Sequence, residues 1–126
     1  MATQSINPQR GEIWKVNFDP QVGSEIQKER PAVVLDRGHS NLSVRVIVPV
    51  TTWKPKRDEQ NPFKVYLQDG AGTGLTKECA ADACQIKTAD LERFVKKLGT
   101  IGNSKADEIA EAVGLVIDLP SLGDAE

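Results

Sequence analysis

The chain predicts a mostly β fold (β plus α), a small barrel or curled sheet with one helix packed on it. Three observations carry this expectation. Short apolar runs either alternate with polar residues or consist of β-branched side chains. Glycine, proline and asparagine punctuate them at close intervals, and helical spacing occurs only once, near the C-terminus. The 126 residues make a single ordinary domain, and at 39% hydrophobic they can bury a core without disulfides or metal. Residues 1–9 read as a flexible N-terminal tail, 10–119 as the domain and 120–126 as a C-terminal tail.

In Gly11-Glu12-Ile13-Trp14-Lys15-Val16-Asn17-Phe18, the residues Trp14, Val16 and Phe18 share one face, which predicts a half-buried strand with Trp14 in the core. Asp19-Pro20 ends it. A charged loop, Gly23-Ser24-Glu25-Ile26-Gln27-Lys28-Glu29-Arg30-Pro31, feeds directly into Ala32-Val33-Val34-Leu35, too short for a helix and fit for a central strand. Pro31 disfavours a helical conformation at Arg30 and leaves it extended at the strand's entrance. After a turn over residues 36–41, the run 44–50 is a further strand, and Pro49 predicts a distortion where Thr51 and Thr52 emerge.

A polar loop over residues 53–62 leads to Phe63-Lys64-Val65-Tyr66-Leu67, which alternates cleanly. Asp69-Gly70-Ala71-Gly72-Thr73-Gly74 matches no nucleotide-binding fingerprint and reads as a structural turn. Residues 80–88 and 94–101 are weaker strands; in the second, Phe94, Lys96, Leu98 and Thr100 would share a face, and Gly99 counts against it. The helix starts at Ser104, a cap with Asp107 three residues on, and sets Ile109, Val113, Val116 and Ile117 on one side before Leu119-Pro120 ends it.

A net charge of −2, from 16 basic and 18 acidic groups, does not announce nucleic-acid binding, so any such role must rest on local clustering. The polar N-terminus lacks the apolar segment of a signal peptide, and no apolar run approaches the length of a membrane span. Two cysteines, Cys79 and Cys84, are spaced for neither a redox pair nor a zinc site, so both read as structural, in a reducing cytoplasm. His39 is the only histidine and sits in a turn, which leaves no ordinary Ser–His or Cys–His machinery. No metal site and no cofactor is expected.

What remains is a strand-end pair. Arg30 begins one central strand and Thr51 ends another, so antiparallel pairing would bring them together. A guanidinium offers planar donors for two phosphate oxygens and a hydroxyl adds one more hydrogen bond, which also suits the charge of a phosphoryl transition state. The plainer reading is an Arg–Glu salt bridge beside a strand-end threonine.

Several linked motifs separate the two readings. Arg10-Gly11-Glu12-Ile13-Trp14, Val16-Asn17-Phe18-Asp19-Pro20, Val22-Gly23-Ser24-Glu25, Arg30-Pro31-Ala32-Val33-Val34-Leu35, Val48-Pro49-Val50-Thr51-Thr52 and Gln85-Ile86-Lys87-Thr88 follow one another in an order that resembles the MazF/PemK toxins of type II toxin–antitoxin pairs. The likeness runs from about residue 10 to 118. It implies an SH3-like small β-barrel with a C-terminal α-helix, assembled as a homodimer. It also implies a metal-independent, sequence-specific endoribonuclease acting on single-stranded RNA, in which the ribose 2′-hydroxyl attacks to leave 2′,3′-cyclic phosphate and 5′-hydroxyl ends. Catalysis would fall to Arg30 and Thr51, with Thr52 as the alternative threonine, and to Glu25 as proton acceptor or as orienter of Arg30. Thr52, Trp53, Lys54, Lys56, Arg57 and Gln85 would bind RNA, Trp53 by stacking on a base. A cognate MazE-like antitoxin would block the groove with an acidic disordered tail. The competing expectation is a non-catalytic toxin of the CcdB kind that binds DNA gyrase.

Overall fold

The computed structural model describes residues 6–18, 29–38 and 42–120. Seven strands, β1 (Glu12–Asn17), β2 (Glu29–Val34), β3 (Val44–Thr52), β4 (Lys64–Leu67), β5 (Cys79–Asp82), β6 (Lys87–Asp90) and β7 (Phe94–Thr100), accompany a one-turn helix α1 (Pro55–Asp58) and the long helix α2 (Gly102–Val116). The sheet runs β4-β5-β3-β2-β1-β7, every pairing antiparallel, with β6 also on β3.

Strand β3 is the spine. Along one edge Ala32, Val33 and Val34 of β2 oppose Pro49, Val48 and Ile47. Along the other, residues 44–47 pair with β6 and residues 50–52 with β5. The distortion expected at Pro49 takes a particular form: the strand continues through a buried proline, but its neighbours change there. The single strand expected over 80–88 is two strands, because a 3-10 turn (Ala83–Gln85) interrupts it. Asp82 holds that turn, its carboxylate accepting from the Cys84 N–H at 3.1 Å and from Gln85 Nε2 at 2.7 Å.

The sheet is covered on both faces, so β1 is not half-buried as its alternation predicts. Ile13 joins Val33, Val48, Val50 and Leu67 beneath Ala106, Ile109 and Ala112 of α2. Trp14 and Val16 face the other way, onto Ala32, Val34, Ile47 and Phe94, with Phe18 packed against them. Trp14 is core, as expected: it meets Phe94 edge-on at 5.6 Å and donates Nε1–H to Glu12 at 2.8 Å. Each fully buried aliphatic side chain here stabilises by roughly 1.5–3 kcal/mol.

Strand β7 does not present one continuous face. Its pairing with β1 shifts twice, between Ile13 and Trp14 and between Lys15 and Val16, so Phe94 reaches the second core and Leu98 the first. Helix α2 also differs from expectation at its ends. It begins at Gly102, and Ser104 lies inside it, not at the cap. Asp107, instead of completing a capping box, takes a 2.9 Å ion pair from Arg10, whose other nitrogen donates to the Leu35 carbonyl at 3.0 Å. Val113 and Val116 pack on the core, but Ile117 has left the helix and stands 62% exposed. The helix closes with the Leu119 N–H on the Gly114 carbonyl (2.7 Å) and the Asp118 N–H on that of Leu115 (3.2 Å), Asp118 taking the left-handed φ of 58°.

Of the tail, residues 6–9 fall within the described structure, and they are strapped to β3. Arg45, 2% exposed, donates to the carbonyls of Pro8, Leu42 and Val44 and to Asn7 Oδ1, over 2.8–3.1 Å. Pro8 is itself buried. The two outer strands, β4 and β7, are linked through the glycine turn between β4 and β5, where the Thr100 N–H donates to the Gly72 carbonyl at 3.0 Å. That contact curls the sheet into a barrel-like shape. Among the described residues, no helix is long and apolar enough to cross a membrane.

Candidate active site

The β2–β3 pairing ends at Ala32 and Pro49, and a cleft of about 540 Å³ lies beyond it. Arg30 and Pro31 of β2 and Val50, Thr51 and Thr52 of β3 line it. The opposite wall is the segment 74–77 with Cys79 and Leu98, and Lys15 of β1 completes it. The pairing that opposes Ala32 to Pro49, carried two residues outward, sets Arg30 across from Thr51. The two strand-end residues singled out from sequence thus line one cleft.

Two features give the cleft chemical character. Thr51 Oγ1 is buried and has no hydrogen-bond partner among the described residues. Leaving such a hydroxyl unsatisfied costs about 1–3 kcal/mol. The second feature is charge: among the described residues, Lys15, Arg30 and Lys77 line the cleft and no carboxylate does. The net charge of −2 thus conceals a locally cationic groove.

Other expected site residues are placed as follows. Glu25 and His39 lie outside the described residues. Thr52 is in the cleft with Thr51. Trp53 is not: its N–H donates to the Glu78 carbonyl at 3.1 Å, and its ring sits edge-on to Tyr66 at 5.1 Å, beside a separate groove of about 320 Å³. Gln85 is outside the cleft as well and binds Asp82. Lys54 and Lys56 are exposed around α1, a helical turn where sequence suggested only loop. Sequence reasoning passed over Lys15, Thr76 and Lys77. For Lys15 a signal existed, since it alternates with Ile13 onto the face that packs the first core, an unusual place for a cation.

Arg57 is occupied. Its Nε donates at 2.9 Å to Asp58, which is 1% exposed and also accepts from the Lys54 N–H at 2.8 Å and Lys64 Nζ at 3.3 Å. The Arg57 hydrogen bond, then the backbone bond, hold the Asp58 carboxyl down at about 2. A depressed carboxylate contributes stability that is complete above its unfolded value, about 3.9, and lost as pH falls towards the folded one. Asp58→Asn is therefore expected to lower the melting temperature at neutral pH and to flatten its decline between pH 4 and 2. A mutant acid limb that parallels the unaltered protein's would count against this.

Cys79 lies on the cleft wall, but burial pushes its thiol up, a tendency only partly offset by Lys77, and Sγ donates to the Lys77 carbonyl at 3.2 Å. A thiol kept protonated is a poor nucleophile, in keeping with the structural role expected for it. Among the described residues, no three of His, Cys, Asp and Glu are grouped to hold a metal ion.

Comparison with known proteins adds four findings. Residues 9–117 match the model of a family described as PemK-like, MazF-like toxin of type II toxin-antitoxin system. The chain is 37% identical over 117 residues to Endoribonuclease MazF9 of Mycobacterium tuberculosis, covering 87% of this chain and 96% of that protein. To Endoribonuclease toxin MazF of Escherichia coli K12 it is 31% identical over 113 residues, covering 87% and 94%. In fold it is similar to a chain of the MazE-MazF crystal structure from Deinococcus radiodurans (Form-II), with a TM-score of 0.75 at 24% identity over 92% of this chain and 100% of that one.

Proposed function

The chain belongs to the PemK-like, MazF-like toxins of type II toxin–antitoxin systems, and we propose that it cuts single-stranded RNA in the Arg30–Thr51 cleft with the substrate's own 2′-hydroxyl as nucleophile. Like the relatives it matches, it is an endoribonuclease. The observation that carries the site is the buried Thr51 Oγ1, without a partner among the described residues, on a residue that lines the same cleft as the cations Lys15, Arg30 and Lys77.

In the reaction the 2′-oxygen attacks the adjacent phosphorus and the bond to the 5′-oxygen breaks. One proton leaves the 2′-hydroxyl and one reaches the departing 5′-oxygen, giving a 2′,3′-cyclic phosphate and a 5′-hydroxyl. Arg30 stabilises the negative charge of the pentavalent phosphorus through two N–H donors; its pKa is too high for it to serve as the base. Thr51 donates its hydroxyl to a non-bridging oxygen. Glu25 accepts the 2′-proton or orients Arg30. The guanidinium supplies the positive charge that a metal brings to other nucleases, so the scheme needs none.

Thr52 borders the same phosphate, while Trp53, Lys54 and Lys56 bind RNA that has left the cleft. Arg57 and Gln85 join them with the donors that their carboxylate partners leave free. A cleft of this charge also suits the acidic tail of an antitoxin, which would exclude substrate. MazE–MazF complexes are among the similar folds. The reading includes a homodimer working in the cytoplasm. The gyrase-binding alternative gains nothing from relatives that are named endoribonucleases.

The test is incubation of a labelled random-sequence single-stranded RNA pool with the protein in excess EDTA, followed by end-group analysis. Cuts at defined sequences that end in cyclic phosphate and 5′-hydroxyl are expected. Cleavage abolished by EDTA, or fragments bearing 5′-phosphate, would overturn the chemistry. A pool left intact with and without EDTA would overturn the function.

A further inference from the structure

We propose that Lys15 and Lys77 bind the phosphates on either side of the one being cut, so that the cleft holds three consecutive phosphates of the strand. The proposal rests on the reading of the cleft given above. Arg30 with Thr51 takes the scissile phosphate; among the described residues, Lys15 and Lys77 are the remaining cations of the lining.

Both lysines are available. Neither makes an ion pair or side-chain hydrogen bond among the described residues, whereas Lys64, Lys97 and Lys105 are each paired with a carboxylate. For Lys15 the fold goes further. Its partner across β1 and β7 is Lys96, which likewise has no carboxylate among the described residues. Like charges directly opposed across an antiparallel pair repel, and a phosphate bound there relieves the repulsion.

Lys77 comes from a different part of the chain. It follows the glycine turn that docks on β7, so its position at the cleft depends on that contact. One cation on β1 and another on the turn, with Arg30 on β2, form a track along which a flexible strand can lie.

Salt dependence counts these contacts. Each neutralised phosphate of a single strand contributes about −0.7 to the slope of log affinity against log salt. For a random single-stranded DNA decamer, which lacks the 2′-hydroxyl and cannot be cut, the three cleft contacts should together contribute about −2 to the slope. Lys15→Gln and Lys77→Gln should each flatten the slope by about 0.7 and weaken binding about 5-fold at 0.1 M salt. Lys105→Gln should do neither. The melting temperature of unbound Lys15→Gln should hold or rise as its binding falls, a combination that a structural role would not produce. An unchanged slope in either cleft variant overturns the three-phosphate track. Thr51→Val separates this from the catalytic reading: it should keep the full slope while losing cleavage. Wild-type cleavage by Thr51→Val would sink the catalytic assignment and leave the slopes standing.

Discussion

Arg30→Ala should cut RNA at least about 10²–10³-fold more slowly at saturating substrate, the loss typical of removing one charge-stabilising donor from a transition state. The charge on the phosphoryl oxygens grows as the 2′-oxygen approaches, so a guanidinium aimed there lowers the barrier more than it tightens binding. Lysine is no replacement, because a single ammonium cannot contact two oxygens in the plane of the fork. Arg30→Lys should accordingly recover only part of the rate. Thr51→Val keeps shape and removes the hydroxyl, and its loss should exceed that of Thr52→Val, since it is Thr51 Oγ1 that is buried without a partner. Single-turnover kinetics on one defined RNA site would measure all four. Wild-type cleavage by Arg30→Ala would dismiss the site, and equal losses from the two threonines would dismiss the choice between them.

How much of this was legible beforehand depended on how local the cause was. Arg30 and Thr51 could be paired from sequence because antiparallel register is a short-range rule: one strand's beginning lies against the next one's end. Trp53 could not be placed. Whether it faces the cleft depends on Tyr66, thirteen residues away, and on a backbone bond to Glu78. The helix start was missed for a similar reason. Ser104 and Asp107 have cap spacing, but Arg10 takes Asp107, and the turn at Gly102 comes earlier. Burial of both faces of β1 was illegible as well. Lys15 interrupts the inner apolar row at the point where the barrel opens into the cleft, so the alternation looks one-sided. Cations gathered along one cleft are a property of the folded surface and leave no mark on a net charge of −2.

Gly99→Ala is expected to destabilise the protein by about 3 kcal/mol or more, the upper range for forcing extra volume into a packed site. A Cβ on Gly99 would lie 2.3 Å from the Gly72 carbonyl oxygen and 2.4 Å from the Thr73 carbonyl carbon. These are backbone atoms, and no side chain can swing aside to make room. From the other side of the contact, a Cβ on Gly74 would stand 2.2 Å from the Leu98 carbonyl oxygen, at a backbone φ of 77° that already favours glycine. The glycine that weakened the strand reading of β7 and Gly74 of the glycine-dense turn thus serve one purpose: they let two backbones touch where the barrel's outer strands meet. Because residues 74–77 and Leu98 form one wall of the cleft, prising this contact apart also displaces Lys77. The substitution should therefore weaken binding of a non-cleavable strand even at temperatures where the protein remains folded. Gly38→Ala, whose φ of 100° is also left-handed but whose Cβ would meet nothing within 4 Å, isolates backbone strain from collision. Urea melts of the two variants, alongside strand affinity at 15 °C, would make the comparison. If Gly99→Ala proved no more costly than Gly38→Ala, close backbone approach would not be what joins the outer strands.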